Sequence, residues 1–201
     1  MTDTQKKPLW KTELVWLFLI TSGLFAILYS KFILGGYAYV FTDTGADTMQ
    51  INYAQYGLFS SLFRSGESGY VLQAGLGMDV SSYYPAYLIP YNLLILLAPQ
   101  RLLPWAVLAS AYLKMITISL VGYLFYRKLM QDGIGTMAAA LAWTFSGYVI
   151  LWGQHYGFCT CMALFTVFMY FLQCYLNGEQ RWKSAGLVLT VTMLLISSYY
   201  F

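Results

Sequence analysis

Two aspartates stand close together directly after a long apolar segment. Asp43 and Asp47 are four residues apart in "FTDTGADTMQ". A carboxylate can take a proton from a hydroxyl group as a general base, and a pair of carboxylates can hold a divalent metal ion. Asp47 is also followed three residues later by Gln50, which has the form of a helix capping box. Catalysis and helix initiation are therefore both open roles for these acids.

A helix should follow the aspartates along the membrane surface. Ile51, Ala54, Leu58 and Leu62 recur at helical spacing. This periodicity predicts an amphipathic helix that lies on the outer membrane surface.

The composition defines the class of protein that carries these acids. Apolar residues make up 59% of the 201-residue chain and charged residues only 9%, whereas a soluble domain has about 25% charged residues. This composition predicts an integral membrane protein whose partners are lipids rather than nucleic acid. The long apolar runs show no strand-like alternation, so we expect an all-α fold, a polytopic transmembrane helix bundle.

Five segments are apolar over a length that could cross the membrane. They are residues 13–35, 102–126, 134–152, 158–176 and 184–201. The apolar segment 83–98 is short and contains Pro85 and Pro90, so we expect it to be interfacial or re-entrant. Residues 36–101 then form one large loop with interfacial helices. We interpret residues 1–201 as a single transmembrane domain and, because five spans resemble half of a bundle, as part of a longer protein.

The basic residues predict the orientation of these spans. If 83–98 does not cross, two basic residues, Arg64 and Arg101, lie on the side of the large loop. The other side holds seven, namely Lys6, Lys7, Lys11, Arg127, Lys128, Arg181 and Lys183. The positive-inside rule then places the N-terminus in the cytoplasm and the loop outside.

Two further residues could take part in chemistry. Lys114 lies near the middle of the second span, where a charge is expensive and usually faces the bundle interior or a polar cavity. It could bind a substrate or serve as a structural lysine bonded to carbonyl groups. His155 lies in the short turn "GQHYG"; it could bind the substrate or have a structural role.

Several motifs in order resemble the YfhO family of bacterial membrane proteins. The motifs are "DTMQINYAQY", "GLG", "YYPAYLIPYNLLILLAP", "AYLKMITISLVGYLFYRKL" and "SGYVILWGQH". Members of this family are much longer and resemble the GT-C class of glycosyltransferases. These enzymes take a sugar from a polyprenyl-phosphate carrier and add it to an acceptor outside the cytoplasmic membrane. Some members are implicated in glycosylation of lipoteichoic acid.

The resemblance implies roles for individual residues. By position Asp47 matches the acid that serves as catalytic base or metal ligand in the first external loop, with Asp43 as the second acid. The cofactor would be a divalent metal, if one is used. The family more often reads "DLxxQY" where this chain has "DTMQINYAQY", and this departure bears on Gln50 more than on Asp47. The implied substrate-binding residues are Gln50, Arg64, Arg101, Lys114 and His155, with Lys31 as a further cation for the phosphate.

The resemblance thus implies a GT-C-like enzyme of the bacterial cytoplasmic membrane. Its partners would be membrane lipids, a polyprenyl-phosphate-linked sugar and an envelope polymer acceptor. Two other classes stay open: a transporter or flippase for a lipid-linked substrate, and a non-catalytic subunit of envelope assembly. A transporter would also use a lysine within a span, but it would not need acids in a folded external loop.

Overall fold

The protein is mostly helical. The computed structural model describes residues 9–41, 48–67, 69–72, 77–79, 81, 88–130, 132–179 and 181–197. The two candidate catalytic acids, Asp43 and Asp47, lie outside these residues, as does most of the first half of segment 83–98.

Nine α-helices and one short hairpin lie within the described ranges. The helices are α1 (Leu9–Leu28), α2 (Ser30–Leu34), α3 (Ala54–Ser65), α4 (Pro90–Leu97), α5 (Leu103–Leu129), α6 (Gly133–Thr144), α7 (Gly147–Trp152), α8 (Tyr156–Leu176) and α9 (Arg181–Ser197). A π-helical turn, Thr48–Tyr53, leads into α3, and a 3-10 turn, Gln100–Leu102, leads into α5. The antiparallel strands β1 (Tyr70–Val71) and β2 (Met78–Asp79) form the hairpin.

Four helical segments are long and apolar enough to cross a membrane, which makes this a membrane protein. They are Lys11–Leu28, Gln100–Leu129, Gly133–Trp152 and Tyr156–Leu176. The predicted fifth span corresponds to a shorter apolar helix, Trp182–Ser197. Helix α4 has 8 residues and is therefore about 12 Å long, too short to cross a hydrocarbon layer of about 30 Å.

Two of the expected continuous spans are interrupted. The first ends as a regular helix at Leu28, and the chain turns at Tyr29 before α2 begins. The third is divided between α6 and α7, because Ser146 adopts an extended conformation with φ −60° and ψ 154°. The break is tolerated because the amide of Phe145 still donates to the Leu141 carbonyl at 2.9 Å.

The face that α3 buries differs from the expected apolar stripe. Tyr56, Phe59 and Leu62 are buried, whereas Ile51 is 48% exposed from the protein. The reason is the π-helical turn, which adds a residue per turn and so rotates the face of the following α-helix. Leu62 of the predicted stripe therefore packs inside the protein, whereas Ile51 of the same stripe lies on the exposed side, where lipid can contact it.

Helix α5 is the centre of the bundle and contacts α1, α4, α6 and α8. Two hydroxyl contacts join it to α1: Thr21 Oγ1 lies 2.7 Å from Ser119 Oγ, and Ser22 Oγ lies 2.8 Å from Tyr112 Oη. The apolar core around α5 includes Val107, Met115 and Ile118. This packing fixes which residues of α5 face the interior.

One end of the bundle is joined by charged residues. Arg127 at the end of α5 donates to Glu13 in α1 at 3.0 Å, and the buried Tyr123 hydroxyl also donates to Glu13. Lys128 and Lys183 both donate to Glu179, which lies between α8 and α9. Each of these three basic residues therefore has a carboxylate partner. This is the end that the basic residues predict to be cytoplasmic.

We expect the charge of Glu179 to stabilise this end in a pH-dependent way. Hydrogen bonds from Lys128, then Lys183, lower the pKa of Glu179 from 4.5 to about 2. Since the folded pKa lies below the ordinary value, the stabilisation is complete above pH 4.5 and is lost as the pH falls towards 2. Glu179→Gln should therefore lower the free energy of unfolding by about 1 kcal/mol at pH 7. Thermal unfolding in detergent at pH 7 and pH 3 checks this; an equal difference at both pH values would contradict it.

Candidate functional site

The other end of the bundle is organised around Tyr156, the first residue of α8. Its hydroxyl donates to the Tyr39 carbonyl, and its ring stacks on Tyr56 with the centroids 5.3 Å apart and an interplanar angle of 11°. The Tyr39 hydroxyl in turn donates to the Gly153 carbonyl at 3.3 Å. Burial raises the pKa of Tyr39 well above its usual range, so this hydroxyl stays a neutral donor. The three rings join α8, α3 and the segment after α2.

Lys114 lies directly beneath this tyrosine layer. Its side chain is inside the protein, as expected, with the residue only 2% exposed. The Nζ atom donates to the Tyr156 carbonyl at 3.1 Å, and Thr160 Oγ1 donates to the same carbonyl at 3.0 Å. Lys114 is 11 residues beyond Leu103, or about 16 Å along the axis of α5. The ammonium is thus deep in the bundle.

The buried charge of Lys114 differs in its partners from the partly exposed charges at the other end of the bundle. Within the described part of the chain, no carboxylate forms an ion pair with it, whereas Arg127, Lys128 and Lys183 all have one. An ammonium has three donor hydrogens, and one is accounted for by the Tyr156 carbonyl. A buried charge without a counter-charge costs several kcal/mol. The positive charge of Lys114 and its other N–H donors therefore remain available to bind an anion.

The π-helical turn that leads into α3 begins beside the turn that carries His155. Thr48, which follows Asp47 in the chain, is fully buried, and its hydroxyl donates to the Gln154 carbonyl at 3.1 Å. His155 is half-buried, and its ring packs against Trp152 and Phe158. The structure therefore brings the segment after Asp47 and the turn of His155 together above Tyr156.

The remaining predicted site residues lie on the surface of the protein. Gln50, Arg64, Arg101 and Lys31 are all exposed. Where the structure is described, no hydrogen bond or ion pair joins any of them to Lys114. Gln100 Nε2 donates to the Gly57 carbonyl at 2.6 Å, which fixes the 3-10 turn of Arg101 against α3.

Sequence reasoning missed the polar contact between α3 and α4. The Tyr56 hydroxyl donates to Asn92 Oδ1 at 3.2 Å, and Asn92 is only 6% exposed. The signal was an amide side chain inside the apolar run "YNLLILLA". The sequence does not identify the partner of this amide, because Tyr56 lies 36 residues away in the chain.

The chain has no match among protein-family models, curated proteins or solved structures. We therefore infer the chemistry of the site from its side chains alone. In the described ranges no three His, Cys, Asp or Glu residues group closely enough to hold a metal ion. The residues there offer a buried cation, neutral hydroxyl donors and an aromatic layer, which together suit an anionic ligand with an apolar part.

Removing the charge of Lys114 should not destabilise the protein. In Lys114→Met the chain loses one hydrogen bond, but it no longer buries an ammonium that lacks a carboxylate partner. We expect a melting temperature equal to or above that of the wild type, measured in delipidated detergent micelles.

Arg127→Met is the matched control for this variant. It removes the Arg127 partner of Glu13 from a partly exposed ion pair and should lower the melting temperature slightly. A Lys114→Met protein that is destabilised as much as Arg127→Met would show that Lys114 is a structural charge.

Proposed function

We propose that the protein is a GT-C-like membrane glycosyltransferase of the YfhO type. It would move a sugar from a polyprenyl-phosphate donor to a cell-envelope acceptor such as lipoteichoic acid. The observation that carries this proposal is the buried ammonium of Lys114, which lacks a carboxylate partner in the described chain. Its partner Tyr156 follows closely after Gln154, where the start of the Thr48–Tyr53 turn contacts the bundle. A lipid-linked phosphate would supply the missing negative charge.

The proposed reaction is a single displacement. Asp47 takes the proton of the acceptor hydroxyl, whose oxygen attacks the anomeric carbon of the sugar as the bond from that carbon to the phosphate oxygen breaks. The configuration at this carbon inverts, and the phosphate leaves with the electron pair of the broken bond. Lys114 stabilises the charge of the departing phosphate. Asp43 supports Asp47 by orienting the acceptor.

If the enzyme uses a divalent metal, Asp43 and Asp47 would hold it. Two carboxylates are suitable oxygen donors for Mg²⁺ or Mn²⁺. When bound, the ion would offset negative charge on the phosphate. Gln50, Arg64, Arg101 and His155 are proposed to contact the substrates from the loop and the neighbouring turn, and Lys31 is the reserve cation.

A transporter or flippase for a lipid-linked substrate is the second candidate. The observation that favours it is the break between α6 and α7 at Ser146. Interrupted helices are typical of secondary transporters, in which the broken backbone lines the substrate site. Such a protein would bind the phosphate lipid but would leave its sugar bond intact.

The proposed location is the bacterial cytoplasmic membrane, with the N-terminus inside and residues 36–101 outside. Single cysteines at Arg64→Cys and Gln131→Cys, in a background with Cys159, Cys161 and Cys174 replaced, would test this orientation. An impermeant maleimide should label the first in intact cells and the second only after permeabilisation. Labelling of Gln131→Cys in intact cells would contradict the orientation.

Asp47→Asn should separate catalysis from helix capping. Asn caps a helix about as well as Asp, but it cannot take a proton. We expect sugar transfer by this variant to fall by about a hundredfold or more, with normal expression and folding. Transfer is measured with membranes that contain the protein and a polyprenyl-phosphate sugar.

Asp132→Asn is the matched control, because Asp132 caps α6 by accepting from the amides of Ile134 and Gly135 at the opposite end of the bundle. It should keep near-normal transfer. Near-normal transfer by Asp47→Asn as well would assign Asp47 to capping and move the search for the base to Asp43 or Asp79.

A further inference from the structure

Ser110 carries a buried hydroxyl group that the fold does not use. It lies in α5, is 1% exposed, and its Oγ atom has no hydrogen-bond partner among the residues that the structure describes. Hydroxyl groups within helices commonly donate to the carbonyl four residues earlier, as Thr117 does to Leu113 at 2.8 Å and Thr160 does to Tyr156. Leaving a buried hydroxyl unpaired destabilises the folded state, because the group has lost its hydrogen bonds to water. A bound ligand that accepts a hydrogen bond would therefore be stabilised by the Ser110 hydroxyl.

Ser110 and Lys114 lie on the same face of α5. They are four residues apart and both are buried, and residues at this spacing are neighbours on a helix surface. Helical side chains point back towards the N-terminus, so the side chain of Lys114 extends over the turn that carries Ser110. A free hydroxyl donor and an ammonium with spare donors are therefore adjacent in the interior.

We infer that Ser110 and Lys114 together form a binding site for the phosphate group of a membrane lipid. One phosphate oxygen would accept from the Ser110 hydroxyl and another from Lys114 Nζ. This arrangement satisfies the unpaired hydroxyl and neutralises the ammonium in one step. Both groups are buried, so the side chains around them must rearrange to admit the ligand.

The surroundings select a phosphate that is attached to a lipid. The helix face around the two residues also carries the buried apolar side chains Val107, Ala111 and Ile118. Free phosphate would have to give up its hydration shell to enter such a site, whereas a lipid phosphate arrives with an apolar chain that gains contacts there. The outer face of α4, with Leu93, Leu94 and Leu97 exposed, offers an apolar path beside it.

The inference deepens the proposed function by naming the group that holds the donor phosphate, but it does not depend on sugar transfer. A transporter of the same lipid would need the same site. The two hypotheses can therefore be tested separately. A protein that binds the phosphate lipid but transfers no sugar would refute only the proposed transferase activity. A protein that transfers sugar without binding the lipid phosphate at these residues would refute only the proposed site.

The test measures lipid binding by the whole purified protein in detergent, through the rise in melting temperature. Three probes are used at equal concentration: polyprenyl phosphate, the uncharged polyprenol, and inorganic phosphate. For the wild type we expect a rise with polyprenyl phosphate only. Ser110→Ala should weaken this binding about tenfold or more, since it removes a hydrogen bond to a charged group. Without lipid, Ser110→Ala should be as stable as the wild type.

Ser119→Ala is the matched control. It makes the same change nine residues further along α5, at a buried serine that does have a partner, Thr21. It should lower the melting temperature without lipid and leave the affinity for polyprenyl phosphate unchanged.

Two results with Ser110→Ala would overturn the inference: binding of polyprenyl phosphate equal to that of the wild type, or loss of stability or folding in the absence of lipid, as expected for Ser119→Ala. Two results with the wild type would also overturn it: polyprenol raises the melting temperature as much as polyprenyl phosphate does, or inorganic phosphate alone gives the full rise.

Discussion

The packing of α8 through Tyr156 is the constraint on which the rest of the structure depends. A charge inside a membrane-spanning helix must be turned away from lipid and given polar partners. Here Lys114 has such a partner in the first carbonyl of α8, from Tyr156. The same tyrosine uses its hydroxyl and its ring to hold Tyr39 and Tyr56. Tyr156 thus contacts α5, α3 and the segment after α2 from the start of α8.

The two ends of the bundle treat charge in opposite ways. At one end Glu13 and Glu179 neutralise Arg127, Lys128 and Lys183, as expected of groups whose role is to hold helices together. At the other end a buried cation and a buried hydroxyl are left with unused donor capacity. Folded proteins rarely leave such groups unsatisfied. This contrast is the main physical reason to place ligand binding at the tyrosine end rather than at the charged end.

Much of the helical framework could be predicted from the sequence, because apolar length alone determines which helices can cross a membrane. The interior position of Lys114 could also be predicted, since the cost of a lipid-facing charge does not depend on the details of packing. The breaks at Tyr29 and Ser146 could not, because they depend on which neighbouring groups accept the freed backbone hydrogen bonds.

The candidate site was harder to predict than the framework. Tyr156 is far in sequence from the tyrosines it contacts, and interfacial tyrosines are common enough to hide a specific one. The π-helical turn at Thr48–Tyr53 changes the helix face in a way that α-helical periodicity cannot reveal. Ser110 stood out only once its hydroxyl was seen to lack a partner. The predicted roles of Asp43 and Asp47 remain predictions, because both residues lie outside the described ranges.

The central claim is that the Lys114 ammonium and the Ser110 hydroxyl hold the phosphate of the lipid substrate. The most direct measurement is a structure of the full protein in a lipid nanodisc with a non-transferable phosphonate analogue of a polyprenyl-phosphate sugar. We predict density for the phosphonate at about 2.7–3.0 Å from Lys114 Nζ, with one oxygen accepting from Ser110 Oγ. An analogue bound elsewhere, with Lys114 still bonded to the Tyr156 carbonyl and Ser110 still unpaired, would contradict the account.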